Sequence, residues 1–219
     1  VLGNAVFASW EGTSVLVPFS AFCGPTPGPP NAGQKPWRMM ERRIQDGKRF
    51  HMIEVLWHGR GGQGAFTAAR LLGAAASLDG KRHALAFPSF GPERRGAPMR
   101  AFTKIDTVQI GDRSAVSKAD FVIYLDGTLL APGWERELKP GGICLVNTAE
   151  ALGDPRLLAI DADGLATELL GRPIPNTVFL GALAQLADCV DRESVEEAIR
   201  QYMPAKLHKG NIKVVERAI

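Results

Sequence analysis

The strongest chemical signal in this chain is a run of seven residues, His58-Gly59-Arg60-Gly61-Gly62-Gln63-Gly64. Gly59, Gly61 and Gly64 fit the pattern G-x-G-x-x-G, set between a β-rich run and an Ala- and Leu-rich stretch. Glycine permits a tight turn and a close backbone approach. The helix that follows offers free N–H groups and partial positive charge to a phosphate. The same glycines would also serve simply to close a strand–helix turn, so the pattern alone leaves both readings open. A site for NAD requires in addition an acid at the end of the second strand, to hold the ribose hydroxyls. Here that strand ends in Pro88-Ser89, and Asp79 lies before it, at the wrong end. NAD is therefore disfavoured.

A second cluster follows about 25 residues later. Pro88-Ser89-Phe90-Gly91-Pro92-Glu93-Arg94-Arg95-Gly96 is a loop, because its prolines and glycines exclude regular structure. Between Lys81 and Lys104 the cations Lys81, Arg82, Arg94, Arg95, Arg100 and Lys104 face the single acid Glu93. A loop after the second strand lies beside the glycine turn, at the carboxyl ends of the strands where ligands of such sheets bind. Guanidinium groups there suit a polyphosphate through bidentate contacts. Solvated surface charge, or contact with another subunit, is the alternative. Cys23, Cys144 and Cys189 are scattered, with no CxxC pair. They suit neither an iron–sulfur cluster nor a zinc site on their own, nor a disulfide framework. No metal site is expected in the chain.

These clusters need elements to hold them. Residues 53–58 form a short β-rich run ahead of the glycines, and 65–78, ended by Asp79-Gly80, read as a helix. Residues 82–87 predict a second strand, 98–105 a third and 108–110 a further short one; 112–118 predict a short helix capped by Asp112. The uninterrupted apolar run 121–125 is that of a strand buried on both faces. Residues 135–138 precede a helix stop and turn at 139–142. Strands are expected at 143–147 and 157–161, and helices at about 163–170, 177–190, 193–201 and after Pro204. Such alternation predicts an α/β fold: a single Rossmann-like, mostly parallel sheet with helices on both faces.

The chain has 219 residues, 45% hydrophobic and 22% charged, enough for one domain with an appendage. A net charge of +3, without a dense Lys/Arg tract or aromatic–basic interleaving, excludes nucleic acid as the expected partner. No apolar run approaches the roughly 20 residues that span a bilayer, so no membrane partner is expected. The cysteine usage suits the reducing cytoplasm. Residues 1–51 stand apart as an irregular N-terminal extension, with Pro25, Pro27, Pro29, Pro30 and Pro36 among small residues and a mostly polar stretch at 42–51. They read either as an extension lying along partner subunits or as upstream translation before a start at Met52. The second is favoured slightly, because Met52 immediately precedes the first strand. The domain proper is 52–219.

Taken together, the motifs at 59–64 and 88–96 resemble those of the γ component of 2-oxoacid:ferredoxin oxidoreductases. Ala119-Asp120-Phe121-Val122, Leu138-Lys139-Pro140-Gly141-Gly142 and Asn176-Thr177-Val178-Phe179-Leu180-Gly181-Ala182 agree with it. The resemblance covers Met52 to the C-terminus; Ala97-Pro98-Met99-Arg100 departs from it, where many relatives have a second Gly and small polar residues. It implies a multi-subunit enzyme that oxidatively decarboxylates a 2-oxoacid to acyl-CoA. Thiamine diphosphate with Mg²⁺ and the iron–sulfur clusters would sit on partner subunits, and this chain would contribute to coenzyme A binding and assembly. The oxoacid is left open among pyruvate, branched-chain, aryl and 2-oxoglutarate types. By the same resemblance Arg60, Gly61, Gly62, Gln63 and Gly64 would form the turn near the pantetheine or phosphates. Ser89, Phe90, Arg94 and Arg95 would line the nucleotide side, and Asn176 would reach the site or serve as a helix N-cap. His58 is expected to be packed and hydrogen-bonded, and Trp57, Trp134 and Phe179 to be core or interface residues. A subunit that only docks partners, or a free-standing nucleotide-binding protein, are the alternatives.

Overall fold

A computed structural model describes residues 5–10, 13–18, 52–89 and 95–218. Strands β1 (Ala5–Trp10) and β2 (Thr13–Pro18) pair antiparallel, with Ala5 opposite Pro18 and Trp10 opposite Thr13. This corrects the expectation of a wholly irregular extension. Both runs are rich in β-branched and aromatic residues and flank Glu11-Gly12 in the sequence, a short hairpin signature. The proline-rich stretch at 25–36 lies outside the described residues.

Six further strands form one mixed sheet: β3 (Ile53–Arg60), β4 (His83–Pro88), β5 (Pro98–Asp106), β6 (Ala119–Tyr124), β7 (Leu138–Asn147) and β8 (Leu157–Ile160). Their order is β4-β5-β3-β6-β7-β8. The β3–β6, β6–β7 and β7–β8 pairs are parallel, as expected. Strand β5 is antiparallel to both of its neighbours. Among the described residues there are five α-helices: α1 (Ala65–Ser77), α2 (Ala162–Leu170), α3 (Asn176–Leu186), α4 (Arg192–Tyr202) and α5 (Ala205–Ala218).

Strand alternation divides the core. Ile53, Val55 and Trp57 of β3 join Ile123, Leu145 and the apolar faces of all five helices in one buried cluster. Leu56, Phe102, Val122, Tyr124, Cys144 and Val146 look the other way. Two short 3-10 helices, Gly127–Leu129 and Trp134–Glu137, close that second face with Val116 and Leu152. Helices thus cover both faces, but unequally: the described α-helices gather on one, and 3-10 helices serve the other. Trp57 and Phe179 are fully buried, and Trp134 packs against the second cluster, matching the core reading of all three. The Trp57 indole is satisfied: Nε1 donates to Thr103 Oγ1 at 3.1 Å, and that hydroxyl donates to Ala69 O at 3.0 Å.

Two local expectations fail. Residues 108–110 make no strand and 112–118 no helix. Lys104 lies on β5 with a side chain 1% exposed, so its ammonium must find partners locally. Nζ donates to Asp112 Oδ2 at 2.6 Å, and Asp112 Oδ1 accepts from Ser114 N at 2.9 Å, which turns the segment at Asp112 instead of starting a helix. Residues 139–142, expected as a turn, run inside β7, with Gly141 at φ +81°. The third helix ends at Leu186 rather than 190.

Candidate functional site

The glycine turn ends β3 and opens α1, and long-range contacts fix its shape. Gly61 N donates to Ala97 O at 2.9 Å and Gly96 N to Gly61 O at 3.0 Å, so the turn is laced to the entrance of β5. A bridge between Gly61 and Arg95 places the basic loop's end directly beside it. Gln63 closes the turn from within, its Oε1 accepting from Arg60 N at 2.7 Å. Arg60 is engaged as well: Nε donates to Asp126 Oδ2 at 2.7 Å, Nη2 to Thr128 Oγ1 at 2.9 Å and Nη1 to Gly96 O at 3.3 Å. Burial alone would raise the Asp126 carboxyl. The hydrogen bonds from Thr128 and Arg60 outweigh it and hold the group below its usual range. Arg60 therefore shapes the turn through Asp126 and Thr128.

What the turn offers is backbone. Gly64 caps α1 in the left-handed region at φ +81°, no side chain caps the helix, and its first turn holds no acid. The leading N–H groups of α1 and the positive end of its dipole are thus left for an external acceptor. Gly62, at φ +102°, forms the apex, and a Cβ there would meet nothing within 4 Å. Asn176, 4% exposed in the first turn of α3, comes against the same spot: a Cβ on Gly64 would lie 2.6 Å from its Nδ2. Its Oδ1 accepts from Thr177 N at 2.9 Å, while Nδ2 finds no acceptor among the described residues. The cap of α3 is Pro175, so of the two readings of Asn176 the N-cap is not the one the structure has.

Beside the turn, on the face away from the α-helices, lies an open cleft of about 430 Å³ lined by His58, Ser89, Pro98, Met99, Arg100 and Leu129. His58 Nε2 donates to Glu137 Oε2 at 2.8 Å, and the ring stacks on Tyr124 with centroids 4.4 Å apart. Tyr124 Oη donates to the same carboxylate oxygen at 3.1 Å. Burial works against the Glu137 charge, but the His58 and Tyr124 hydrogen bonds and the nearby Arg100 guanidinium hold its pKa below the ordinary value. Burial and the Glu137 charge push the Tyr124 phenol up. The expectation of a packed, hydrogen-bonded His58 holds.

The structure therefore gathers Arg60, Gly61, Gly62, Gln63, Gly64, Arg95 and Asn176 at one turn. Ser89 lies in the adjoining cleft, its Oγ accepting from Arg100 N at 3.3 Å. Phe90 and Arg94 fall outside the described residues. Asp126, Thr128, Glu137, Tyr124 and Arg100 were not anticipated as part of the site. Arg100 alone had a sequence signal, as one of the lopsided cations. Among the described residues no three His, Cys, Asp or Glu side chains gather as metal ligands do, and no helix is long and apolar enough to cross a membrane.

Residues 54–219 match the family described as pyruvate ferredoxin/flavodoxin oxidoreductase. The common γ subunit of the pyruvate/ketoisovalerate oxidoreductases of Thermococcus kodakarensis is 44% identical over 177 residues, covering 76% of this chain and 95% of that one. The crystal structure of the pyruvate oxidoreductase subunit PORC from Thermotoga maritima superposes at TM-score 0.66 with 37% identity, over 78% of this chain and 96% of that one. A 2-oxoglutarate:ferredoxin oxidoreductase from Magnetococcus marinus, solved with 2-oxoglutarate, coenzyme A and succinyl-CoA bound, shares the fold at TM-score 0.62 and 17% identity, over 78% of this chain and 30% of that one.

Proposed function

Because this chain belongs to the pyruvate ferredoxin/flavodoxin oxidoreductase family and is a γ-type subunit of a 2-oxoacid:ferredoxin oxidoreductase, we propose that its glycine turn holds phosphate groups of coenzyme A. One observation carries the reading: α1 begins without a side-chain cap or an acid, directly beneath a glycine apex and beside the Asn176 amide. That is a set of convergent donors matched to a phosphate, with Arg95 bridged to the turn to add charge. Arg60, held by Asp126, keeps the apex in shape rather than contacting the ligand. Coenzyme A, once bound, supplies the thiol that takes the acyl group.

Thiamine diphosphate with Mg²⁺ and the iron–sulfur clusters belong, on this reading, to partner subunits, and the chain alone does not turn over. The relatives support a pyruvate-type substrate. The Thermococcus γ chain is named as common to pyruvate and ketoisovalerate oxidoreductases. A shared γ chain leaves the choice of oxoacid to other subunits. The complex works in the cytoplasm, in keeping with the free thiols of Cys144 and Cys189.

The test is coenzyme A titration of the intact complex by calorimetry. Replacing the exposed Arg95 by Ala removes one charge-assisted contact and raises the dissociation constant about tenfold or more. Lost turnover at unchanged coenzyme A affinity would instead assign the basic loop to docking on another chain.

A further inference from the structure

Helix α5 carries a one-sided charge that the chain itself does not use. Lys206, Lys209, Lys213 and Arg217 are all exposed. At 3.6 residues per turn they fall within an arc of about 80°, on a ridge roughly 16 Å long. Glu216 is the single acid on the helix. Helix α4 treats its cations differently. Arg192 meets Glu193 at 3.3 Å and Glu196 at 3.4 Å, and Arg200 meets Glu196 at 2.9 Å and Glu197 at 3.5 Å. None of the four α5 cations has an acidic partner among the described residues. Lys209, Lys213 and Arg217 follow one another at i, i+4, the spacing at which like charges repel on a helix. The arrangement costs the isolated chain stability and leaves four donors facing outward.

The ridge is held rigidly. Val214 and Val215 are fully buried, and Asn211 Oδ1 accepts from the buried Thr177 Oγ1 at 2.9 Å. A Cβ on Gly181 of α3 would meet Val215 O at 2.9 Å, so α5 sits too close to α3 to roll. Two exposed apolar side chains lie on the same two helices: Tyr202 at the end of α4, 57% exposed, and Leu207 in the first turn of α5, 40% exposed and about 80° round the helix from the edge of the cation arc. Exposed apolar side chains on the helices that carry a fixed row of cations suit a protein partner, since a purely ionic contact has no use for them.

We propose that this face of α5 docks on a carboxylate-rich surface of another subunit of the complex. Charge complementarity identifies the occupant, and membership in a multi-subunit oxidoreductase requires that some face of this chain be so occupied. No residue of the glycine turn takes part, so the inference stands or falls separately from the coenzyme A reading.

The test uses the full chain produced with its partner subunits. The triple charge reversal Lys206→Glu, Lys213→Glu, Arg217→Glu is compared with its neutral counterpart Lys206→Gln, Lys213→Gln, Arg217→Gln. Association is followed by sedimentation velocity from low salt to about 0.5 M. The reversal weakens association by about tenfold or more, the neutral triple gives an intermediate loss, and the unaltered complex loosens as salt rises. Coenzyme A affinity of the assembled fraction stays unchanged. Should the reversal variant fail to fold, the neutral triple alone decides. Full association of the folded variants at every salt concentration would overturn the proposal. So would loss of retention on a nucleic-acid column with unaltered assembly, which would make the ridge a polyanion site.

Discussion

Replacing Gly64 by Ala tests the glycine turn at its tightest point. Two costs arise. Gly64 sits at φ +81°, where an L side chain costs roughly 1–2 kcal/mol. The new methyl would also come within 2.6 Å of Asn176 Nδ2 and 3.3 Å of its Cγ. Asn176 is 4% exposed and its Oδ1 is tied to Thr177 N, so the amide cannot simply swing away. Forcing a methyl into such a site costs about 1–3 kcal/mol. The sum is about 2–5 kcal/mol, which with a slope of about 2 kcal/mol/M moves the urea midpoint down by roughly 1–2.5 M. Adding Asn176→Ala removes the clashing atom, so the double variant is less destabilised than the two single costs added together, a coupling of about 1 kcal/mol or more. The same cycle followed through coenzyme A affinity separates stability from binding, because Nδ2 is lost in one arm only. Strictly additive costs, or a Gly64→Ala chain as stable as the parent, would refute the packing of Asn176 on the turn.

Two further outcomes follow from the site and the core. Glu137 titrates below its ordinary value in the folded chain. Its contribution is therefore complete above the unfolded carboxyl pKa and is lost as pH falls through the lower folded one. Glu137→Gln removes that part of the acid limb, so unfolding between about pH 5 and pH 3 becomes less steep; an unaltered slope would mean that His58 and Tyr124 do not hold the carboxylate. Burial pushes the thiols of Cys144 and Cys189 up to about 12. In the folded chain at pH 8 both alkylate far more slowly than after denaturation, and mass spectrometry after iodoacetamide treatment reads this directly; rapid labelling of either would contradict the buried placement.

Much of the fold was legible because local pattern and burial coincide. The run 121–125 is apolar throughout because both faces of β6 are covered, and the glycines at 59–64 end β3 where they end the apolar run. Position within the sheet was not legible. An apolar strand gives no sign of its neighbour's direction, so β5 lying antiparallel between β4 and β3 could not be inferred from 98–105. The short helix expected at 112–118 failed because a capping Asp reads the same whether it serves its own segment or a buried lysine eight residues earlier. The glycine turn and Asn176 could be named because each has a local signature. The pairs Arg60–Asp126 and His58–Glu137, 66 and 79 residues apart, have none, since only strand register brings them together.

The lacing of the turn to the entrance of β5 also governs how the loop tolerates change. The loop from Ser89 to Gly96 is fastened at both mouths, by Ser89 N to Arg100 O at 2.8 Å and by Gly96 N to Gly61 O at 3.0 Å. A segment clipped at its base behaves as an interchangeable cartridge, and doubling its length costs only about 0.6 kcal/mol. A change of length between those clips can therefore be accommodated while the strands beneath keep their register. The motif that this stretch carries, Arg95 included, is thereby held at the turn without the sheet beneath depending on it.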